Sequence, residues 1–534
     1  MVAHSQSLQD AIKLTNNEEF EQADKAFKSL QMAQPTVGNI YFYRGENFYN
    51  WGKLDSAQNT FQKGVNVNAL EPLNYVGLGK TQLANGDKAA NDNFFKAKTI
   101  SKSKDPLVLS KIAEAYIGLA SKDQTTSADL LKQAVDLLKQ AIAMDGKNAT
   151  YHIDLGDAYL AQHPTDGSPS IDEYNQALAI DPKNVTAMLH LGKLWENAQQ
   201  ATNAYDFFNK AIKLDSTFAP AYREQAELLK NLGKIDEAIT MYIKYLKLNN
   251  SLTARGRYGS FLFVAKKYDN AITEMQNVLS QDSSNIVLYR LLGYSQYEKK
   301  DYKNGLVNMN KFFTKSKTSQ TKILGSDYSY LGKLLSKNGQ DSLAIIMLNQ
   351  AVTIINSETS TDVQDIYLLI AQLYANDQNY PMAITYFKKR IKSRTQVDVN
   401  DYYYLGQTQM KNNQPQSADS SFLMITQTMP DLLLGYQLRA RANGAMDSTQ
   451  TTAKPIWETY IQKVGADTIK NKTGLVEAYL ELGYYYYLKK DKENATISYK
   501  RVLGIDPANE AAKAYFESLK PRPAPKPKTE GKTK

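Results

Sequence analysis

The four histidines, His4, His152, His163 and His190, are the only candidates for imidazole chemistry, and they are scattered. None belongs to an HExxH pair, and none has a second ligand at metal spacing. His152 and Asp154 are two apart, which turns them to different sides of one helix. The chain has no cysteine, so disulfides, thiolate zinc sites and cysteine nucleophiles are removed together. Gly77-Leu78-Gly79-Lys80-Thr81 ends like a phosphate loop but lacks the first glycine at the spacing such a loop needs. These residues predict no catalytic, cofactor-binding or metal site.

Two further sets of residues invite a binding role. Tyrosine is abundant, at 36 residues, and runs occur at Tyr402-Tyr403-Tyr404 and Tyr484-Tyr485-Tyr486-Tyr487. On a helix, successive residues point in different directions, so only part of each run can pack inward. The other set is basic. Residues 520–534 hold six basic side chains and one acid, so +5 of the formal +9 lies there. Pro521-Arg522-Pro523-Ala524-Pro525-Lys526-Pro527-Lys528 cannot pack a core and predicts a disordered tail with local polyproline character. No aromatic residue interleaves its lysines, so salt-dependent contact with nucleic acid or another polyanion is the most it offers.

The elements that would carry these residues are legible from Tyr479 to Pro507. Tyr479, Leu482, Gly483 and Tyr486 share one helix face, and Ala495, Tyr499 and Val502 repeat that geometry on a second helix. Lys489-Lys490-Asp491-Lys492 is a polar turn between them, and Pro507 ends the second helix. Gly483 and Ala495 are the small residues that let two antiparallel helices approach. Taking Gly483 as anchor, small residues recur at Ala11, Gly45, Gly79, Ala113, Gly156, Gly192, Ala226, Gly259, Gly293, Gly332, Ala371, Gly406 and Ala440. The intervals run from 33 to 43 residues, most often 34. This pattern resembles the tetratricopeptide repeat, a 34-residue helix–turn–helix with large-Leu-Gly-aromatic in its first helix.

The resemblance implies an all-α fold, a right-handed superhelical α-solenoid of about fourteen hairpins over residues 1–507. Residues 508–519 are expected as a capping helix and 520–534 as the tail. Departures fall at Ser121–Ser127, at His163–Pro169, at Ser357–Asp362, and in the thirteenth repeat, where Pro455 and Trp457 stand where its second helix should be regular. No apolar run approaches the ~18 residues of a spanning helix.

In this family the first helix of each hairpin faces a concave groove. The positions three before, one after and four after each anchor then imply partner-binding residues. They are Arg223, Glu227, Phe263, Arg290, Tyr294, Tyr297, Tyr403, Gln407 and Arg441, with Tyr484 and Tyr487 on the same face. Arginine beside tyrosine makes a strong peptide anchor, and residues at these positions are expected to lie outside the core. The chain is therefore read as a non-enzymatic scaffold for protein or peptide partners, without cofactor or small-molecule substrate. The resemblance also implies assembly of bacterial envelope complexes. Val2-Ala3-His4-Ser5 has the small-x-small character of a signal-peptidase site, which suggests a periplasmic or envelope location, with the cytoplasm as alternative.

Overall fold

The computed structural model describes residues 7–87, 89–120, 127–319, 321–355, 361–396 and 398–520. The Val2–Ser5 pattern, the polyproline run after Lys520 and most of the Ser121 and Ser357 insertions lie outside these residues. Among the described residues there are 29 α-helices and no strand. They pack as two units, one ending at Ser295 and one beginning at Gln296, so the stretch expected as one solenoid is taken in two parts.

In the first unit, α1 (Leu8–Asn16) pairs with α2 (Phe20–Ala33), α3 (Gly38–Asn50) with α4 (Leu54–Val67), and α5 (Pro72–Ala84) with α6 (Ala90–Ile100). Then come α7 (Pro106–Ala120) and α8 (Ser127–Met144), α9 (Ala149–Gln162) and α10 (Ser168–Ile180), and α11 (Val185–Asn197) and α12 (Ala201–Leu214). The unit continues through α13 (Ala219–Asn231), α14 (Ile235–Leu248), α15 (Leu252–Val264) and α16 (Tyr268–Gln281) into α17 (Ile286–Glu298), which contains the boundary. The second unit holds α18 (Tyr302–Ser316), α19 (Gly325–Lys337), α20 (Asp341–Ile355), α21 (Thr361–Asn376), α22 (Tyr380–Ser393) and α23 (Val399–Lys411). It ends with α24 (Pro415–Thr428), α25 (Leu433–Met446), α26 (Lys454–Val464), α27 (Lys472–Leu488), α28 (Lys492–Ile505) and α29 (Glu510–Ser518).

Every anchor lies in an odd-numbered helix, and the reason is steric. At Gly45, Gly192 and Gly406 an added Cβ would fall 2.2, 2.4 and 2.3 Å from Phe61, Phe208 and Phe422 of the following helix. Each of those rings is fully buried. The small residue thus admits a large one sixteen positions on, and that pair closes the hairpin. Gly79, the glycine of the loop-like motif, admits Phe94, fifteen positions on, at 2.5 Å, which explains it without any phosphate.

Helix starts use ordinary caps. Ser7 and Asp10 form a capping box on α1, and Asn148, Ser251 and Asp398 each accept a backbone N–H in the first turn of the helix that follows. Pro455 is another start signal: it sits in the first turn of α26, where its missing donor costs nothing, and Trp457 is 1% exposed in the core. The second helix of the thirteenth hairpin is therefore unbroken, although at Lys454–Val464 it is short and starts late.

The turns share a feature that glycine only partly advertises. Seven residues after an anchor the backbone enters the left-handed region, at Gly52, Gly86, Gly233 and Gly339, but also at Glu18, Lys266, Lys300 and Lys490. Glycine is the residue that adopts this conformation without strain, whereas an L side chain there costs about 1–2 kcal/mol. At the C-terminal end, α29 covers the last hairpin by stacking Tyr515 on Tyr499, ring centres 4.3 Å apart.

Candidate partner-binding surfaces

In the first unit the odd-numbered helices α1 to α13 line a cavity of about 1080 Å³. The residue just after the anchor supplies one charge per hairpin: Glu46, Lys80, Glu114, Asp157 and Lys193 all lie on this lining. Three of these charges pair with each other, while Asp157 pairs with His190 and Lys193 lies near Glu224. Lys80, 8% exposed, lies 2.7 Å from Glu46 and 3.9 Å from Glu114, and Lys111 pairs with Glu114 as well. Burial opposes the Lys80 ammonium, but Glu46 and Glu114 overcome it and raise its pKa. The same contest raises Lys111, through Glu114, Asp154 and Glu46.

One carboxyl loses this contest. Asp154 accepts a 2.6 Å hydrogen bond from the Ser110 hydroxyl. Burial, and then the Glu114 charge, push its pKa up to about 8. Beside it, Asp157 accepts from the Tyr174 hydroxyl at 2.6 Å and lies 2.7 Å from His190 Nδ1. Burial lowers the His190 pKa, but Asp157 outweighs it and leaves it raised. His152 hydrogen-bonds Glu173 of α10 and has no part in the lining, as its two-residue offset from Asp154 predicts.

The unit also closes on itself. Glu18, at the turn between α1 and α2, accepts from Arg223 Nη2 of α13 at 3.1 Å and from the Tyr245 hydroxyl of α14 at 3.0 Å, and it pairs with Arg257 of α15. Asn249 Nδ2 donates to the Glu18 backbone carbonyl at 3.0 Å. One hairpin further, Trp51 Nε1 donates to Thr253 Oγ1 at 2.9 Å; in the first hairpin itself, Lys13 of α1 lies 3.4 Å from Asp215 at the end of α12. The first two hairpins thus rest on the seventh and eighth. Burial raises the Glu18 pKa, but Arg223 and Arg257 prevail and hold it below the usual carboxylate range.

This geometry decides where the sequence-predicted residues stand. Arg223 is bound within the chain, to Glu18 and at 3.0 Å to Glu224. Glu227 pairs with Lys230 at 2.5 Å. Tyr294 is 5% exposed and packs against the half-buried Phe263 at 5.9 Å, so the expectation that it lies outside the core is corrected. Arg290, on the same helix, is half-buried. In the second unit Tyr297 packs edge-on against Tyr330 at 5.5 Å. Arg441 grips Glu477 with two hydrogen bonds of 2.5 and 2.7 Å, and Gln437 donates to the same carboxylate.

Tyr403 and Gln407 are half-buried on α23, and the neighbouring Tyr404 is 40% exposed. On α27, Tyr484 and Tyr487 are 43% and 56% exposed, at the positions one and four after the anchor. The structure thus gathers Tyr403, Gln407, Arg441, Tyr484 and Tyr487 in one unit, on equivalent positions of α23, α25 and α27. Sequence reasoning missed the Glu18 contacts and the charged row of the first unit. The row carried a signal, one charge per repeat just after the anchor; the contacts carried none.

Comparison with known proteins places these elements. Tetratricopeptide-repeat family models match residues 223–286 and 476–509. A TPR repeat-containing protein of Methanocaldococcus jannaschii is 22% identical over 235 residues, 44% of this chain and 35% of that protein. DnaJ homolog subfamily C member 3 of Gallus gallus is 33% identical over 97 residues, 18% of this chain and 19% of its own. The chain thus spans about a third and a fifth of these two curated relatives. Among solved structures, the C-terminal part of a TPR repeat-containing protein from Cytophaga hutchinsonii shares 34% identity, covering 50% of this chain and 99% of that one, with a TM-score of 0.41.

Proposed function

The chain belongs to the tetratricopeptide-repeat family, and from that premise we propose that it is a scaffold whose second unit grips a partner protein segment along its odd-numbered helices. The family fold supports a protein-interaction role in general; the choice of surface is the finer step. The observation that carries it is the exposure of Tyr484 and Tyr487, one and four residues after the anchor of α27. Tyrosine offers large contact area at low entropic cost, and exposed rings spaced along a stack suit an extended or helical segment. The Arg441–Glu477 pair between them has a half-exposed guanidinium and orients both a donor and an acceptor for backbone groups.

Site-specific photo-crosslinking tests the surface. A crosslinker at position 403, 484 or 487 captures the partner segment, whereas one at Ile346, exposed on an even-numbered helix, does not. Equal capture from both faces would remove the proposal. Assembly of envelope complexes is the setting the repeat resemblance implies, and fractionation of the producing cells checks it: recovery of the native protein solely from the cytoplasm would exclude that setting.

A further inference from the structure

We propose that the lumen of the first unit is a binding site for a primary alkylammonium group, carried by a free polyamine or by a lysine side chain. This site is independent of the tyrosine surface on the second unit. The lining has six carboxyl side chains, of which Asp154 is mostly protonated at pH 7, against four permanent cations, with His190 a titratable fifth. An acidic excess alone would be a weak argument, but two features give it an acceptor. Glu46 is only 8% exposed, uses Oε2 on Lys80, and leaves Oε1 buried without a hydrogen-bond partner. A buried carboxylate oxygen without a donor is costly and is satisfied best by an N–H or ammonium group.

The second feature is the chemistry already present. Lys80 and Lys111 show that carboxylates of this lining accept ammonium groups at hydrogen-bond range, and Glu46, Glu114 and Asp154 all act on Lys111. An incoming ammonium with three donors meets the same kind of surroundings. Tyr43, Tyr49 and Tyr151 on the lining offer rings for its methylene chain. A metal ion fits less well: among the described residues no group of three or more carboxylates or imidazoles is placed to hold one.

Binding is coupled to a proton. Asp154 faces Ser110, Lys111 and Glu114 from α7, Asp157 from its own helix, Tyr174 from α10 and His190 from α11. Burial and the Glu114 charge raise its pKa to about 8, so at pH 7 the carboxyl keeps its proton in most molecules. A cation entering beside it restores the ionised form, and the proton leaves to solvent.

Titration calorimetry on the full chain tests this with two probes, spermidine and acetyl-Gly-Lys-Gly-amide, in phosphate and in MOPS at pH 7, neither buffer being a primary amine. At least one probe binds, and the difference between buffers shows net release of protons, as expected when a cation restores a carboxylate whose pKa burial has raised. Asp154→Asn abolishes the release and weakens binding tenfold or more, and Glu46→Gln weakens it several-fold. Binding of spermidine alone identifies the free polyamine as ligand, and binding of the peptide identifies a lysine-bearing segment. No binding of either probe at millimolar concentration overturns the proposal, as does binding without proton release or with unchanged affinity in both variants. The wild-type buffer comparison keeps the test decisive even where a variant fails to fold.

Discussion

Replacing Glu18 by alanine removes the carboxylate that ties the first hairpin to the seventh and eighth. Its side chain is 17% exposed and accepts from Arg223, Tyr245 and Arg257. Hydrogen bonds to charged groups contribute about 1.5–3 kcal/mol each, and breaking a well-buried pair costs about 3–5 kcal/mol. The site is only partly buried, and Arg223 keeps Glu224 as a second partner, so a loss of about 2–4 kcal/mol is expected. Glu18 also occupies a left-handed turn with φ of 63°. Glycine relieves that strain, so Glu18→Gly should lose about 1 kcal/mol less than Glu18→Ala. Stability of a repeat array is best read locally, by hydrogen exchange in urea. Protection should fall together in residues 8–33 and 219–264 although some 200 residues separate them. Loss confined to residues 8–33, or a glycine variant as damaged as the alanine one, would refute the reasoning.

Three other outcomes follow. Gly406→Ala puts a methyl 2.3 Å from the Phe422 ring and should cost about 1–3 kcal/mol, whereas Gly483→Ala meets Tyr499 at 2.9 Å and should cost less; equal urea midpoints would mean the anchors do not control hairpin closure. Asp154 is an acid with a raised pKa, so its contribution is fully present below its unfolded pKa and is lost as pH rises through about 8; Asp154→Asn should therefore gain melting temperature over wild type more at pH 8.5 than at pH 5. Residues 1–519 should keep the melting temperature of the full chain while losing most retention on a phosphate-bearing matrix, since +5 of the +9 formal charge lies beyond them; undiminished retention would transfer polyanion binding to the helical body.

How much of this was legible depends on whether the cause is local. The anchors were, because a small residue facing a bulky one is a contact within a single hairpin and repeats with its period. The turn conformation was half legible: Gly86 and Gly233 show it, but Lys266 and Lys490 adopt it without a sequence mark. Pro455 misled because the same residue that breaks a helix interior is well placed at its first turn. Tyr294 misled because the neighbouring first helices press closely enough to bury a position the family pattern assigns to the groove. Glu18 was beyond reach, since its partners Arg223 and Arg257 are brought to it by the accumulated rotation of six hairpins, and no pattern shorter than the whole unit encodes that sum.

The Glu18 clasp has a consequence for how such a chain can change length. In an open stack each hairpin touches only its neighbours, so duplicating or deleting one adds or removes a rung and leaves the others as they were. In the first unit, an added hairpin anywhere between Asn50 and Ala219 would carry Arg223, Tyr245 and Arg257 one rung past Glu18. The left-handed glutamate would then keep its strain and lose its partners. Hairpin number there is fixed by closure, as the number of strands is in a barrel, and insertions are tolerated in turns such as His163–Pro169 instead of as whole repeats.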